Sequence, residues 1–216
     1  MSRVLRYSLA LLLGVLPLAF STAAAGTPTI LNDLALVEAL RAGGYNFYFR
    51  HVSTDWSQSD GLRRADDWLS CDPTQMRQLS DPGRADAVAI GNAIRKLEIP
   101  VSEILASPYC RAVETARLME LGQVTTSTAV MNLRAAEYFG GRAAIVASAQ
   151  ALLATSPEPY TNRVIVAHGN VAQASTPVYP AEGEGVVFQP DDKGGFHLVG
   201  RIGPADWARL LNLAIQ

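Results

Sequence analysis

Hydrophobic and polar positions along the chain alternate between two periods. From Pro28 onward, Leu31, Leu34, Leu36, Val37 and Leu40 recur at helical spacing before Gly43-Gly44, and a glycine pair after such a run stops a helix. The next apolar stretch, YNFYF at 45–49, is short, aromatic and uninterrupted, which predicts a buried strand. Residues 52–79 then lose any period, with Trp56, Arg63, Arg64 and Trp68 scattered among serines and aspartates. A connection this long inside a compact domain is usually functional or disordered.

Order returns at Ser80-Asp81-Pro82, which opens a helix with Ser80 as cap and the proline in its first turn. Ala87, Ile90, Ile94 and Leu97 follow at spacings of three, four and three, one face of a helix that Pro100 ends. EILA at 103–106 reads as a second strand, Ser107-Pro108 as the start of a helix reaching about residue 121, and residues 124–131 as a third strand. Gly140-Gly141 precedes a helix over 142–154, and RVIVAH at 163–168 is a fourth strand, continuous and apolar as expected when both sheet faces are covered. EGVVFQP at 184–190 and GFHLVGRI at 195–202 flank DDKG as a hairpin, and a helix closes the chain over 204–215. Strands alternating with helices predict an α/β fold, a three-layer α/β/α sandwich on a mainly parallel sheet with a late antiparallel hairpin.

The first 25 residues follow another pattern. Arg3 and Arg6 precede twelve uncharged residues at 9–20, and STAAAG follows with Ala23 and Ala25 as an Ala-x-Ala cleavage site, the three-part pattern of a secretory signal peptide. A run of this length, interrupted by Pro17, is too short to span the roughly 30 Å hydrocarbon layer. The expectation is a cleaved leader at 1–25, a single domain at 26–216 with no stable membrane insertion after cleavage, and a periplasmic or secreted location. Loss of the leader removes two arginines and no acids, leaving 16 basic residues against 20 acidic ones. With that balance and no basic run, no nucleic-acid partner is expected. Two cysteines, Cys71 and Cys110, in a chain bound for an oxidising compartment make either one disulfide, the preferred reading, or two free buried thiols.

In an open parallel sheet, ligands collect at the carboxyl ends of the strands. Three polar groups stand there: Arg50 with His51, the segment from Ser107 to Arg111, and His168. Singly, each is more often a packing or solvated residue. Two guanidiniums and two imidazoles in one crevice repel one another unless an anion lies between them, and arginine forks match phosphate oxygens. A helix starting at Ser107 would add free N–H groups and a positive dipole end. The ends of the strands therefore read as a phosphate cradle.

FRH at 49–51, LSDPGRADA at 79–87, SPYCRAVETA at 107–116 and VAHGN at 166–170 together resemble the signature segments of the histidine phosphatase superfamily, the phosphoglycerate-mutase-like group, in the manner of a small secreted bacterial member of branch 1. The resemblance implies a metal-independent phosphomonoesterase that needs no cofactor and acts on a small-molecule phosphate ester. His51 would attack phosphorus and carry a phosphohistidine, Arg50 and Arg111 would hold the phosphoryl oxygens, and a protonated His168 would stabilise the transition state. The acid-phosphatase branch places an aspartate after the second histidine, where this chain has Gly169. The proton donor implied by the other branch is Glu137 in NLRAAEYFGG, with Asp55 in reserve. Val52 follows the nucleophile where glycine or alanine is commoner in the family. A disulfide would pin the 52–79 connection, with Trp56, Arg63, Arg64 and Trp68 as candidate substrate contacts, to the segment that carries Arg111. The alternative is a non-catalytic phosphate-ligand binding protein on the same fold, against which the retention of both histidines counts. A zinc site from His51, His168 and His197 is disfavoured because no two of them share ligand spacing on one helix.

Overall fold

The computed structural model describes residues 30–214; the leader at 1–25 lies outside the described residues. In chain order the main elements are α1 (Asp33–Ala42), β1 (Asn46–Arg50), α2 (Asp81–Lys96), β2 (Val101–Ala106), α3 (Cys110–Leu118) and β3 (Val124–Thr126). They continue with α4 (Arg142–Ala154), β4 (Asn162–Ala167), α5 (Gly169–Ser175), β5 (Gly185–Pro190), β6 (Phe196–Ile202) and α6 (Asp206–Ala214). One sheet runs in the order β3-β2-β4-β1-β5-β6. The first four are mutually parallel, whereas β5 pairs antiparallel with β1 and β6 antiparallel with β5.

The uninterrupted apolar strands are those at the centre. All six residues of β4 are buried, and alternate residues of β1 go to opposite faces. Phe47 and Phe49 pack on Trp207 of α6, with ring centroids 6.0 and 6.5 Å away, while the Tyr48 hydroxyl reaches the His168 carbonyl at the start of α5. Helices thus cover both faces, α4 beside α5 in one group and α2, α3, α6 and α1 in the other.

Local chemistry explains where elements begin and end. Ser80 accepts the Gly83 N–H and caps α2, and a Cβ at Gly83 would overlap the Ser53 carbonyl, so the first turn of α2 lies directly on the chain leaving His51. Two boundaries and one whole element differ from the sequence reading. α3 begins at Cys110 rather than near Ser107, because Ser107 N–H is still paired with the Val166 carbonyl at 2.9 Å. β3 stops after three residues, since the Ser127 hydroxyl accepts from Ala129 N–H and turns residues 128–130 into a short 3-10 helix. α5 was not predicted at all; Val171 and Ala172 are buried and hold one face of this helix inside.

The 52–79 connection is ordered, with one short 3-10 helix at Asp67–Leu69 and a single bridge between Thr54 and Leu79 as its only regular structure. Its aspartates accept backbone N–H groups: Asp55 from Ser57, Asp67 from Arg63 and Arg64, and Asp72 from Thr74, at 2.8–3.0 Å. Such turns compete with helix and strand for the same N–H groups, which is why no period is visible. A disulfide joins Cys71 to Cys110 across 39 residues, with the Cα atoms 5.5 Å apart. On the chain-entropy account, closing a loop of that length contributes about 4 kcal/mol. On the opposite edge of the sheet, Leu31 N–H, just ahead of α1, bonds the Val199 carbonyl of β6 at 2.7 Å.

Candidate active site

Parallel pairing puts the polar residues level. Arg50 stands opposite Ala167 and Ala106 opposite Val166, so His51, Ser107 and His168 leave three adjacent strands at the same end of the sheet. Tyr48 secures the last of them, its hydroxyl donating to the His168 carbonyl at 2.8 Å and accepting the His168 N–H at 3.2 Å. The two imidazole centroids are 5.5 Å apart. They share a crevice of about 310 Å³ lined also by Arg50, Arg77, Arg111, Arg134, Asp60, Asn132 and Asn170, with Trp56 and Tyr179 among its aromatic residues.

His51 is 3% exposed. Its Nδ1 lies 2.9 Å from the Val52 carbonyl, an acceptor only, so the proton sits on Nδ1 and Nε2 keeps its lone pair. Arg111 Nε donates to that Nε2 at 3.3 Å. Burial first, and then the Arg111 charge, hold the His51 pKa well below the usual imidazole value. His168 accepts or donates at Nε2 to the Ser107 hydroxyl, 2.8 Å away, while its buried Nδ1 has no protein partner among the described residues. Burial, then Arg111 and His51, push its pKa well below the usual value as well. The resemblance implies a protonated His168, whereas burial and the neighbouring charges disfavour that form here.

Both folded-state shifts are downward, so the unfolded chain takes up protons near pH 6.5 that the native site refuses. Stability from this source is present above that pH and is lost as the pH falls through it. The urea midpoint is expected to drop between about pH 7.5 and pH 5.5, and a His51→Ala, His168→Ala double variant should flatten that part of the profile.

The arginines differ in how far they are already committed. Arg50 donates to the Pro180 carbonyl and to Glu182 Oε1, both at 3.2 Å, and faces the Tyr179 ring. Arg111 is clamped by both oxygens of Asp60, at 2.8 and 3.0 Å. Arg77 stacks 3.8 Å over the Trp56 ring and leaves its buried Nε unpartnered. Arg134, mostly exposed, approaches Asp60 Oδ2 at 3.5 Å. Four guanidiniums thus face two carboxylates, an excess of about two positive charges that suits a phosphate dianion.

Arg50, His51, Arg111 and His168 all lie on this crevice, and the Cys71–Cys110 bridge lies one residue from Arg111. Sequence reasoning missed Arg77, Asp60, Arg134 and Asn170. Glu137 is exposed and is not on the crevice wall, because the 3-10 turn Leu133–Phe139 buries Ala135 and Ala136 and turns the next side chain out. Glu137→Gln is accordingly expected to leave kcat within about twofold of the parent on alkyl and aryl phosphates alike; a selective loss on alkyl phosphates would return the proton-donor role to it. Asp55 is occupied by Ser57 and Gln58 and lines a neighbouring, larger groove instead. An aspartate after His168 would have to displace neighbouring side chains: a Cβ at Gly169 would meet the Tyr179 ring at 2.8 Å and Arg50 Cδ at 3.2 Å. Arg63 and Arg64 are exposed, Trp68 is buried against Tyr138 and Phe139, and His197 pairs with Gln189 on the terminal hairpin. The helix expected to start at Ser107 starts instead at Cys110, with Tyr109 at its cap position.

Comparison with known proteins places these features. The family model described as histidine phosphatase superfamily (branch 1) matches residues 47–142. The agropine synthesis reductase of Rhizobium rhizogenes is 29% identical over 96 residues, which cover 44% of this chain and 22% of that protein; the chain thus spans about a fifth of that relative. Among solved structures, the protein histidine phosphatase SixA complexed with tungstate superposes with a TM-score of 0.51 at 14% identity, covering 75% of this chain and 98% of that one. Mycobacterial glucosyl-3-phosphoglycerate phosphatase gives 0.51 at 17% identity, over 72% and 96% of the two chains. A putative α-ribazole-5'-P phosphatase from Escherichia coli gives 0.51 at 14%, over 72% and 95%. At such identities the likeness establishes a shared fold.

Proposed function

We propose that this chain is a phosphatase of the histidine phosphatase superfamily, a phosphomonoesterase that works through a phosphohistidine on His51. The observation that carries this reading is the His51 Nε2 lone pair, held toward the same crevice in which Arg50, Arg77, Arg111 and His168 converge. A small phosphate ester seats its dianion among the arginines, and Nε2 attacks phosphorus in line with the departing oxygen. One N–P bond forms as the P–O bond to the leaving group breaks. His168, its Nδ1 free to donate once Ser107 satisfies Nε2, stabilises the equatorial oxygens, and water then cleaves the N–P bond to release phosphate and neutral His51. Transfer of this kind depends mainly on position and charge stabilisation, which the guanidiniums supply without a divalent ion. Asp60 is the carboxylate on the crevice wall, and Arg111 occupies both of its oxygens. Leaving groups that depart without an acquired proton are therefore favoured.

The same reading puts the protein in the periplasm or outside the cell, in keeping with its leader pattern and disulfide. Purified protein assayed with chelator present against an aryl phosphate, sugar phosphates and a phosphoramidate tests the function. Phosphate release fastest from the aryl and phosphoramidate substrates is expected; phosphate binding without turnover of any of them would instead establish a binding protein.

A further inference from the structure

Arg111 meets the phosphate in the proposed chemistry, whereas its partner Asp60 has no step of its own there, yet both side chains are only 2% exposed. Taking two charges out of water is costly, and a buried ion pair is weak evidence of a stabilising role. Its orientation is more informative. A guanidinium carries five N–H bonds in a planar fork with two usable edges. Asp60 occupies the end, Oδ1 on Nη1 at 2.8 Å and Oδ2 on Nη2 at 3.0 Å. Nη1 also meets the Arg77 carbonyl at 3.3 Å. What remains is the side edge, Nε–H and the second Nη2–H, and its Nε is the atom 3.3 Å from His51 Nε2. The carboxylate is itself held still by the Arg77 backbone N–H at 3.2 Å and by Arg134 at 3.5 Å.

We propose that Asp60 is a positioning residue, which fixes Arg111 so that the Nε–Nη2 edge, and not the Nη1–Nη2 end, meets the phosphoryl group beside His51. This rests on the phosphatase reading given above. The 52–79 connection then grips the first turn of α3 twice, through Asp60 on Arg111 and through Cys71 on Cys110. Orientation comes with an opposing effect, because the Asp60 charge lies close to where the phosphate dianion must sit. The carboxylate weakens ground-state binding while aligning the group that acts in the transition state, and only the second raises turnover. Asparagine at this position keeps the shape, removes the charge, and sets an NH₂ group or a single acceptor against the Arg111 fork.

Asp60→Asn is expected to lower kcat about 10- to 100-fold, the cost of a misplaced catalytic group, while inorganic phosphate, titrated as the probe by calorimetry, binds as tightly as to the parent or more tightly. General damage to the fold would move both quantities the same way. A kcat within twofold of the parent, or phosphate affinity falling together with kcat, overturns the proposal. Should Asp60→Asn not fold, Asp60→Glu carries the test: it keeps the charge and shifts the carboxylate by one methylene. For that variant, kcat at least about fivefold lower with unchanged phosphate affinity is expected, and full kcat or a parallel loss of affinity overturns the idea. If the parent hydrolyses none of the phosphate esters, the phosphatase reading fails by itself. The phosphate titration still decides about Asp60, since weaker binding in Asp60→Asn counts against it.

Discussion

On the proposed mechanism, replacement of His51 by alanine is expected to remove turnover altogether, by a factor of at least about 10³, because the atom proposed to bond phosphorus is gone. The fold should survive: the imidazole's one hydrogen bond to backbone is to the adjacent Val52 carbonyl, and the arginines proposed to hold phosphate remain. Loss of activity with retained phosphate affinity is therefore the expected pattern. The parent enzyme, quenched during turnover of labelled substrate, should carry label on the peptide containing His51, stable in base and lost in acid. Label on any other residue, or full turnover in His51→Ala, would refute the covalent mechanism. Unchanged rates in chelator belong to the same expectation; recovery only with added metal would contradict it.

Arg111→Met should be the most damaging arginine substitution in both respects. It takes from the buried Asp60 carboxylate the bidentate partner on both of its oxygens, leaving only the Arg77 backbone N–H, the Arg77 charge and the mostly exposed Arg134 to compensate it. Breaking one side of a buried pair costs about 3–5 kcal/mol, which urea unfolding at neutral pH would read as a large drop in midpoint. Turnover should fall about 10²- to 10³-fold as well, the usual consequence of losing a preorganised donor to developing charge. The two effects separate in a double variant. Adding Asp60→Leu to Arg111→Met removes both charges, so the midpoint should recover most of its loss while kcat stays low. Recovery of both would make Arg111 a structural residue, and recovery of neither would mean that the pair is not the reason for the lost stability.

What could be read from the sequence was whatever followed from a strand and its end. The apolar runs that became β1 and β4 deliver Arg50, His51 and His168 by their own register, so those three needed no tertiary information. Arg111 was found through its segment, although the helix behind it starts later than proline suggested. Asp60 and Arg77 were hidden for the opposite reason. They sit in a connection whose path is set by aspartate turns, a bridge to Cys110 and an ion pair 51 residues distant, none of which leaves a period in the residues. Glu137 shows the limit of matching by position: its segment is where the resemblance puts it, but a turn that buries two alanines decides which way the carboxylate points.

The two outer strands carry one more consequence, for how copies of the chain meet. A long flat strand with a free row of N–H and C=O groups invites another chain to extend the sheet. Here β3 offers only three residues, and the outer side of β6 is met by Leu31, whose N–H already takes the Val199 carbonyl, while Leu36 packs over Gly200. Strand addition thus has three residues to grip at β3 and, at β6, an outer side interrupted at Val199, which should lower the tendency to ribbon-like aggregation that open α/β sheets carry.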